Sequence, residues 1–243
     1  MTADGWTHAV RRQVQLGRIL PLGGARDGAW ITERAVAVLL RRAVARGAPG
    51  VRLDGVRLGL ARPEQAAEPV VPAPPSALPP GPLRLAAEFA ATAAQPLPAT
   101  ASLLRAVLAE AAAERIGLAV TEVDLRVTEL LDTDTPVPSD APARETEQPG
   151  PPGPADPGGS ETGLIAAAAL GVPGVARLAG TAGRAVHLSE HPRGAALPRR
   201  HARVDLAVRA DHRPLEVARA VREAVSAALP DHPTVAVLVT DLD

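Results

Sequence analysis

The pattern of apolar and polar positions changes from a helical period to a strand period twice along this chain. The first change leads from a helix within residues 96–117 to a strand at 120–127, and the second from a helix over 215–229 to a strand at 234–239. Apolar residues recur every three to four positions in both helices and are concentrated in both strands. We therefore predict a helix–strand segment that occurs twice.

Another helix and further strands precede the first of these segments. Residues 30–46 carry an apolar stripe of helical spacing, and Thr32 is a candidate for the N-cap. Residues 51–60 and 83–90 alternate apolar with polar positions, which predicts two strands. The first half of the chain then has the order helix–strand–strand–helix–strand.

The second half repeats this order in a shorter form. The pattern predicts a helix at 164–170 and strands near 184–189 and 202–210 before the last helix and strand. The sequence Gly-Val-Pro-Gly-Val at 171–175 also resembles Gly-Ala-Pro-Gly-Val at 47–51. Shared landmarks at matching places indicate an internal duplication.

These elements predict an α+β fold made of two copies of a helix–strand–strand–helix–strand unit, each a small mixed sheet with helices on one face. A Pro/Gly-rich linker joins the copies, because its composition cannot bury enough apolar surface to fold. The predicted domains are an N-terminal extension with a short amphipathic helix (1–29), a first α+β domain (30–132), a disordered linker (133–162) and a second, degenerate domain (163–243).

Residues 62–82 hold eight of the 26 prolines and interrupt the first strand pair. A strand or helix cannot absorb this density, because proline lacks the backbone N–H that ladders and helices require. We expect an extended surface loop between two strands. A ligand of the PxxP type is the alternative.

Composition narrows the classes of function. The formal net charge is −1 and there is no cysteine, so neither a global basic field nor thiolate chemistry is available. All 26 basic residues are arginine, and lysine, asparagine and tyrosine are absent, which a G+C-rich genome explains. The chain has neither a signal-peptide pattern nor an apolar run long enough to span a bilayer, so we expect a cytoplasmic protein.

The sequence offers little catalytic or metal-binding chemistry. His187 and His191 are four residues apart, but Pro192 follows and the pattern is that of a strand, so we interpret them as part of a polar hairpin rather than a metal site. Glu122 and Asp124 share the outer face of a strand, where we expect solvated carboxylates rather than an acid–base pair. We predict no enzyme, no cofactor and no metal.

A nucleic-acid-binding module is the alternative function. The order of elements and the sequence Gly-Thr-Ala-Gly at 180–183 resemble KH-type RNA binders, and a basic cluster is formed by Arg199, Arg200, His201 and Arg203. The Gly-x-x-Gly sequence precedes a strand here, whereas KH domains place it between two helices. The cluster also lacks aromatic residues for base stacking. We therefore rank protein partners before nucleic acid.

Three sequences together resemble the alkaline shock protein (Gls-type) family of bacterial envelope-stress proteins. They are Ile-Thr-Glu-Arg-Ala-Val at 31–36, Pro-Gly-Val at 49–51, and Ile-Gly-Leu-Ala-Val-Thr-Glu-Val-Asp-Leu-Arg-Val at 116–127. The resemblance covers about 30–132 well and the second half more loosely, and the long duplicated form looks like proteins of filamentous actinomycetes. It implies a non-enzymatic cytoplasmic protein that self-associates, is held at the membrane by a small anchoring partner and is tied to cell-envelope homeostasis. We expect no direct insertion into the membrane.

The expected interaction surface combines two elements. Glu122, Asp124 and Arg126 lie on the predicted outer face of the strand at 120–127. Trp6 and Val10 lie on one side of the N-terminal amphipathic helix. We expect a scaffold that binds protein partners through these residues and that is peripheral at the inner face of the cell membrane.

Overall fold

The computed structural model describes residues 17–132, 160–180, 184–193 and 196–243 of the chain. Over these ranges the fold is α+β with four α-helices and two mixed sheets, which confirms the α+β class, whereas the arrangement as two copies of one unit stays a prediction. The helices are α1 (Glu33–Gly47), α2 (Leu97–Glu110), α3 (Glu161–Leu170) and α4 (Pro214–Ala228). The strands are β1 (Ile19–Pro21), β2 (Ala29–Thr32), β3 (Val51–Leu60), β4 (Leu83–Thr92), β5 (Val120–Leu131), β6 (Val175–Leu178), β7 (Val186–Arg193), β8 (Ala196–Val208) and β9 (Thr234–Leu242).

The smaller sheet consists of β3, β4 and β5 in that order. β3 and β4 are antiparallel, whereas β4 and β5 are parallel and are joined through α2. A parallel pair needs such a crossover, and here α2 continues as a π-helical turn over Ala111–Ile116 before Gly117 ends it in a left-handed conformation. α2 then packs along β5.

The larger sheet has the order β1-β2-β9-β8-β6, and β7 also pairs with β8. β8 is parallel to β9 and antiparallel to both β6 and β7. On the side away from β8, β9 is parallel to β2, and β2 is antiparallel to β1. Two short strands from the start of the chain therefore complete a sheet whose other strands come from the second half.

The predicted helix start at Trp30 is wrong. Trp30 and Ile31 are extended and pair with Leu238 and Val239 of β9, so the helix begins only at Glu33. Thr32 is the N-cap, as the sequence predicted, and its side chain accepts a hydrogen bond from the Ala35 amide. Strand pairing with a distant segment overrides the helical spacing of the first residues.

Both sheets share one apolar core. α1 contacts β3 of the smaller sheet and also β9 of the larger one. A single cluster of buried residues extends from Leu20 through Phe89 to Leu242. The first and second halves of the chain therefore pack against each other. The predicted domain bounds at 30–132 and 163–243 stay a prediction.

The proline-rich segment between β3 and β4 is packed against the larger sheet. Val71 is only 5% exposed and forms a small apolar cluster with Ile19, Trp30, Ala236 and Leu238. The segment is also held by backbone bonds, from the Leu78 amide to the Ile19 carbonyl at 2.9 Å and from the Val70 amide to the Ala25 carbonyl at 3.1 Å. It connects two strands, as predicted, but it also covers the face of the larger sheet opposite the helices.

The second half contains one strand that the sequence did not predict, β6, and otherwise differs from the prediction at element boundaries. α3 begins at Glu161 rather than Leu164, because the Ser160 side chain accepts a hydrogen bond from the Gly163 amide and caps the helix. β7 and β8 form the predicted hairpin, with longer strands than expected. The predicted linker lies outside the described residues over 133–159, as does the N-terminal helix with Trp6 and Val10.

Candidate interaction surface

The outer face of the smaller sheet carries charged side chains in register across two strands. In β4, Leu85 and Phe89 are buried, whereas Arg84 and Glu88, which directly precede them, are exposed. The strand register places Arg84 opposite Glu122, Ala86 opposite Asp124 and Glu88 opposite Arg126. The three predicted residues of β5 therefore lie on the outer face, as the alternation predicted. Their role in binding stays a prediction.

Ion pairs cross this face between neighbouring strands. The Arg84 guanidinium lies 2.6 Å from a Glu122 carboxylate oxygen and 3.5 Å from one of Asp124. Arg126 lies 3.4 Å from the Glu88 carboxylate. The hydrogen bond to Glu122 raises the pKa of Arg84. Pairs this exposed add little to stability, so their charges stay accessible to a partner.

A second group of ion pairs lies at the other end of the same face. Arg52 contacts Asp54 at 2.7 Å and Glu129 at 2.8 Å, and the Thr128 hydroxyl donates to Asp54 at 2.7 Å. Partial burial acts to raise the pKa of Asp54, but the hydrogen bonds from Arg52 and Thr128 outweigh it and lower this pKa. Asp54 is therefore held as a carboxylate.

A shallow groove of about 560 Å³ connects the two groups of ion pairs. It follows a β-bulge, where the register between β3 and β4 shifts from Leu53 to Gly55. Its lining includes Asp54, Arg57, Glu88, Asp124 and Arg126. Because both charge signs line the groove, it suits a polar protein segment better than a single small anion.

The outer edge of β5 borders this face. Among the described residues, β5 pairs with β4 alone, so its other edge presents backbone groups along a strand of 12 residues. On β5, Val127 is 39% exposed and Leu130 is exposed as well. Leu103 of the adjacent α2 is also exposed. An edge strand with exposed apolar side chains is a template for pairing with another strand.

The two candidate histidines, His187 and His191, lie on β7, which pairs with β8 in the predicted hairpin. His187 is partly buried, which lowers its pKa, and the Arg203 charge lowers it further. The side chain of His191 lies outside the described part of the structure. Within the described ranges, no group of three or more potential ligands is placed to hold a metal ion.

The basic cluster of the nucleic-acid hypothesis is partly neutralised by acidic residues, and its member His201 is buried. Arg200 pairs with Glu161 and also, at 3.3 Å, with Asp231. Arg203 lies 3.1 Å from Asp205, which is fully buried. The Arg199 side chain and residues 181–183 of the Gly-x-x-Gly sequence lie outside the described residues.

Two polar residues of β8 are buried although the sequence pattern indicates a solvated strand face. His201 and Asp205 alternate with apolar residues, which predicts a solvated face, yet both are buried. A His201 ring nitrogen lies 3.0 Å from the Thr234 hydroxyl on β9, which satisfies one of these polar groups. No local pattern in the sequence signals this burial, because it depends on packing by distant segments.

The helices of the described residues include none that is both long enough and apolar enough to cross a membrane. In comparisons with known proteins, no family model matches the chain and no curated protein matches it significantly.

Proposed function

We propose that this protein is a non-enzymatic interaction scaffold of the cytoplasm that acts in cell-envelope homeostasis through a membrane-anchored partner. The smaller sheet provides the binding surface, with its charged outer face and the open edge of β5. The observation that carries the proposal is the placement of Glu122, Asp124 and Arg126 together on this exposed face, beside a strand edge that pairs with no other strand of the described ranges.

The strand pairing of the two sheets supports the internal duplication that the sequence predicts. In the smaller sheet an antiparallel pair, β3–β4, is followed by a parallel pair, β4–β5. In the larger sheet β6 and β7 pair antiparallel with β8, and β8 pairs parallel with β9. We infer that β6 with β7, β8 and β9 are the counterparts of β3, β4 and β5, and that the chain contains two copies of one unit.

The resemblance to alkaline shock proteins points to the same surface. The sequence that carries it most strongly, at 116–127, forms the end of the π-helical turn and most of β5. Its apolar residues form the inner face of the strand, and its charged residues form the outer one. We propose that this outer face is the part that meets the anchoring partner.

Recovery of partners from the native host tests the proposal. The full-length tagged protein is purified from membrane and soluble fractions with nuclease treatment, beside a Glu122→Arg/Asp124→Arg variant. We expect a small membrane protein with the parent protein and a loss of at least about tenfold with the variant, because the reversed charges repel the complementary surface.

A charge reversal on another surface is the matched control. Arg177 pairs with Asp241 and Asp243 much as Arg84 pairs with Glu122 and Asp124. The variant Asp241→Arg/Asp243→Arg should recover the partner like the parent protein. Equal recovery by all three proteins would contradict the proposed surface. Recovery only of RNA that nuclease removes would instead favour the KH-like hypothesis.

A further inference from the structure

We propose that the open edge of β5 pairs with β5 of a second copy of this chain, antiparallel and about a two-fold axis at Leu125. The inference rests on the proposed function, because it names one partner of the same surface. It would join the two smaller sheets into one continuous sheet of six strands.

The larger sheet shows what this edge can accept. β9 has the same place relative to β8 that β5 has relative to β4, at the far side of a parallel pair. The outer edge of β9 is covered by β2, through the pairs Ala29–Val237, Trp30–Leu238 and Ile31–Val239. The equivalent edge of β5 has no such cover among the described residues. An added strand would give β5 a neighbour on both sides, as β9 already has, although β2 is parallel to β9 and the proposed partner would be antiparallel to β5.

The sequence of β5 is complementary to itself in one antiparallel register. With Leu125 opposite Leu125 of the second copy, Val123 lies opposite Val127 and Asp124 lies opposite Arg126. Apolar pairs then occupy the inner face and two opposite-charge pairs the outer face, which is the arrangement that stabilises antiparallel strands. Residues 122–127 are paired with β4 without a register shift, so the strand is regular over this segment.

Neighbouring registers are less favourable because they oppose like charges. A two-fold axis at Asp124 would bring two Asp124 carboxylates together, and an axis at Arg126 would bring two Arg126 guanidinium groups together. Like charges directly opposite each other on paired strands are destabilising. The charge pattern therefore selects the register centred on Leu125.

The groups needed for this pairing are available at the surface. The side chains of Asp124 and Arg126 are 66% and 79% exposed, and their contacts within the chain are long, at 3.5 and 3.4 Å. The Val123 carbonyl oxygen accepts a long hydrogen bond of 3.4 Å from the Arg105 side chain of α2, and pairing would replace this bond. Pairing would also cover Val127.

Charge exchange tests the register. The mass of the full-length protein in solution is measured by sedimentation for the parent, Asp124→Arg, Arg126→Asp and the double exchange Asp124→Arg/Arg126→Asp. We expect a dimer of the 24.9 kDa chain for the parent. Each single reversal creates two like-charge pairs and should raise the dimer Kd by about tenfold or more, whereas the double exchange should restore dimerisation.

A cross-link provides a second measurement that does not depend on electrostatics. The chain has no cysteine, so Leu125→Cys places one thiol per copy at the two-fold axis. Opposed residues on paired strands are close enough for a disulfide. Oxidation should give a covalent dimer with Leu125→Cys and much less with a cysteine at Ser102, which is exposed on α2.

The outcomes separate this inference from the proposed function. A monomeric parent, a double exchange that fails to restore the dimer, or equal cross-linking at both cysteines would overturn the pairing. If the parent is monomeric but still recovers a membrane partner, the proposed function stands without the pairing. If the protein dimerises as described but recovers no partner, the pairing stands and the membrane link is wrong.

Discussion

The Thr32 hydroxyl donates a hydrogen bond of 2.9 Å to the carbonyl of Thr240, 208 residues further along the chain. The same oxygen accepts from the Ala35 amide at 3.3 Å, so one buried side chain both caps α1 and ties it to the end of β9. The start of the first helix is therefore fixed by the last strand of the protein.

Replacement of Thr32 by valine should destabilise the fold by about 2 kcal/mol, because both hydrogen bonds are lost at a buried site. Thr32→Ser keeps the hydroxyl and should cost about 1 kcal/mol or less. Equilibrium unfolding in urea measures both values. Equal stability of the valine variant and the parent would mean that this contact does not join the two halves.

The packing of Gly117 against Leu215 leads to a second prediction. Gly117 has a φ of +99°, and a Cβ there would lie 2.6 Å from the Leu215 Cβ on α4. Gly117→Ala should therefore lower the free energy of unfolding by at least about 2 kcal/mol, through backbone strain and the clash.

Gly59→Ala is the control for this prediction. A Cβ at Gly59 would meet only the end of the flexible Arg18 side chain, at 3.1 Å. Its effect should stay within about 0.5 kcal/mol. If both alanine variants unfold at the same urea concentration, the close packing of the two halves at Gly117 is not needed for stability.

A third prediction concerns the proline-rich segment over Trp30. Val71→Ala should cost about 2 kcal/mol and should make Trp30 more accessible, because Val71 packs on it in the small cluster. Val70→Ala is the matched control, since Val70 is 59% exposed. Acrylamide quenching in a Trp6→Phe background reports Trp30 alone. Unchanged quenching in the Val71 variant would argue against a packed cover.

The ionised carboxylate of Asp27 should make the free energy of unfolding fall as the pH is lowered into the acid range. Burial acts to raise its pKa, but hydrogen bonds from Arg219 and from the Gly24 amide prevail, so the pKa lies below the ordinary 3.8. A lowered pKa means that the stabilisation is complete above the unfolded value and is lost as the pH falls through the folded one.

Asp27→Asn should therefore reduce the loss of stability below about pH 4, while it lowers stability at pH 7. Glu110→Gln, at an exposed position on α2, serves as the control. Urea unfolding between pH 2.5 and 7 measures the difference. If the free energy of unfolding of the variant changes with pH as that of the parent does over this range, Asp27 does not contribute to the pH dependence.

The sequence predicted the elements that follow a local rule. Thr32 precedes a helical stripe and is a residue type typical of N-caps, so the sequence predicted the cap. Glu122, Asp124 and Arg126 alternate with apolar residues, so it also predicted the outer face of β5. Both properties depend on neighbours a few positions away along the chain.

The pairings between distant segments could not be predicted in this way. β2 has four residues, all buried, so it shows no alternation, and its extended conformation depends on β9 more than 200 residues later. His201 and Asp205 alternate with apolar residues, which is typical of a solvated strand face, but packing on the sheet buries both of them. Neither signal is present in a local window of sequence.

Photo-cross-linking in the native host tests the central proposal most directly. A photoreactive amino acid replaces Asp124 on the outer face of the smaller sheet or, as a control, Asp243 at the end of the larger one. We predict that the Asp124 position gives an adduct with a small membrane protein and that the Asp243 position does not. Adducts that are absent at Asp124, or that are the same at both positions, would contradict an interaction surface on this sheet.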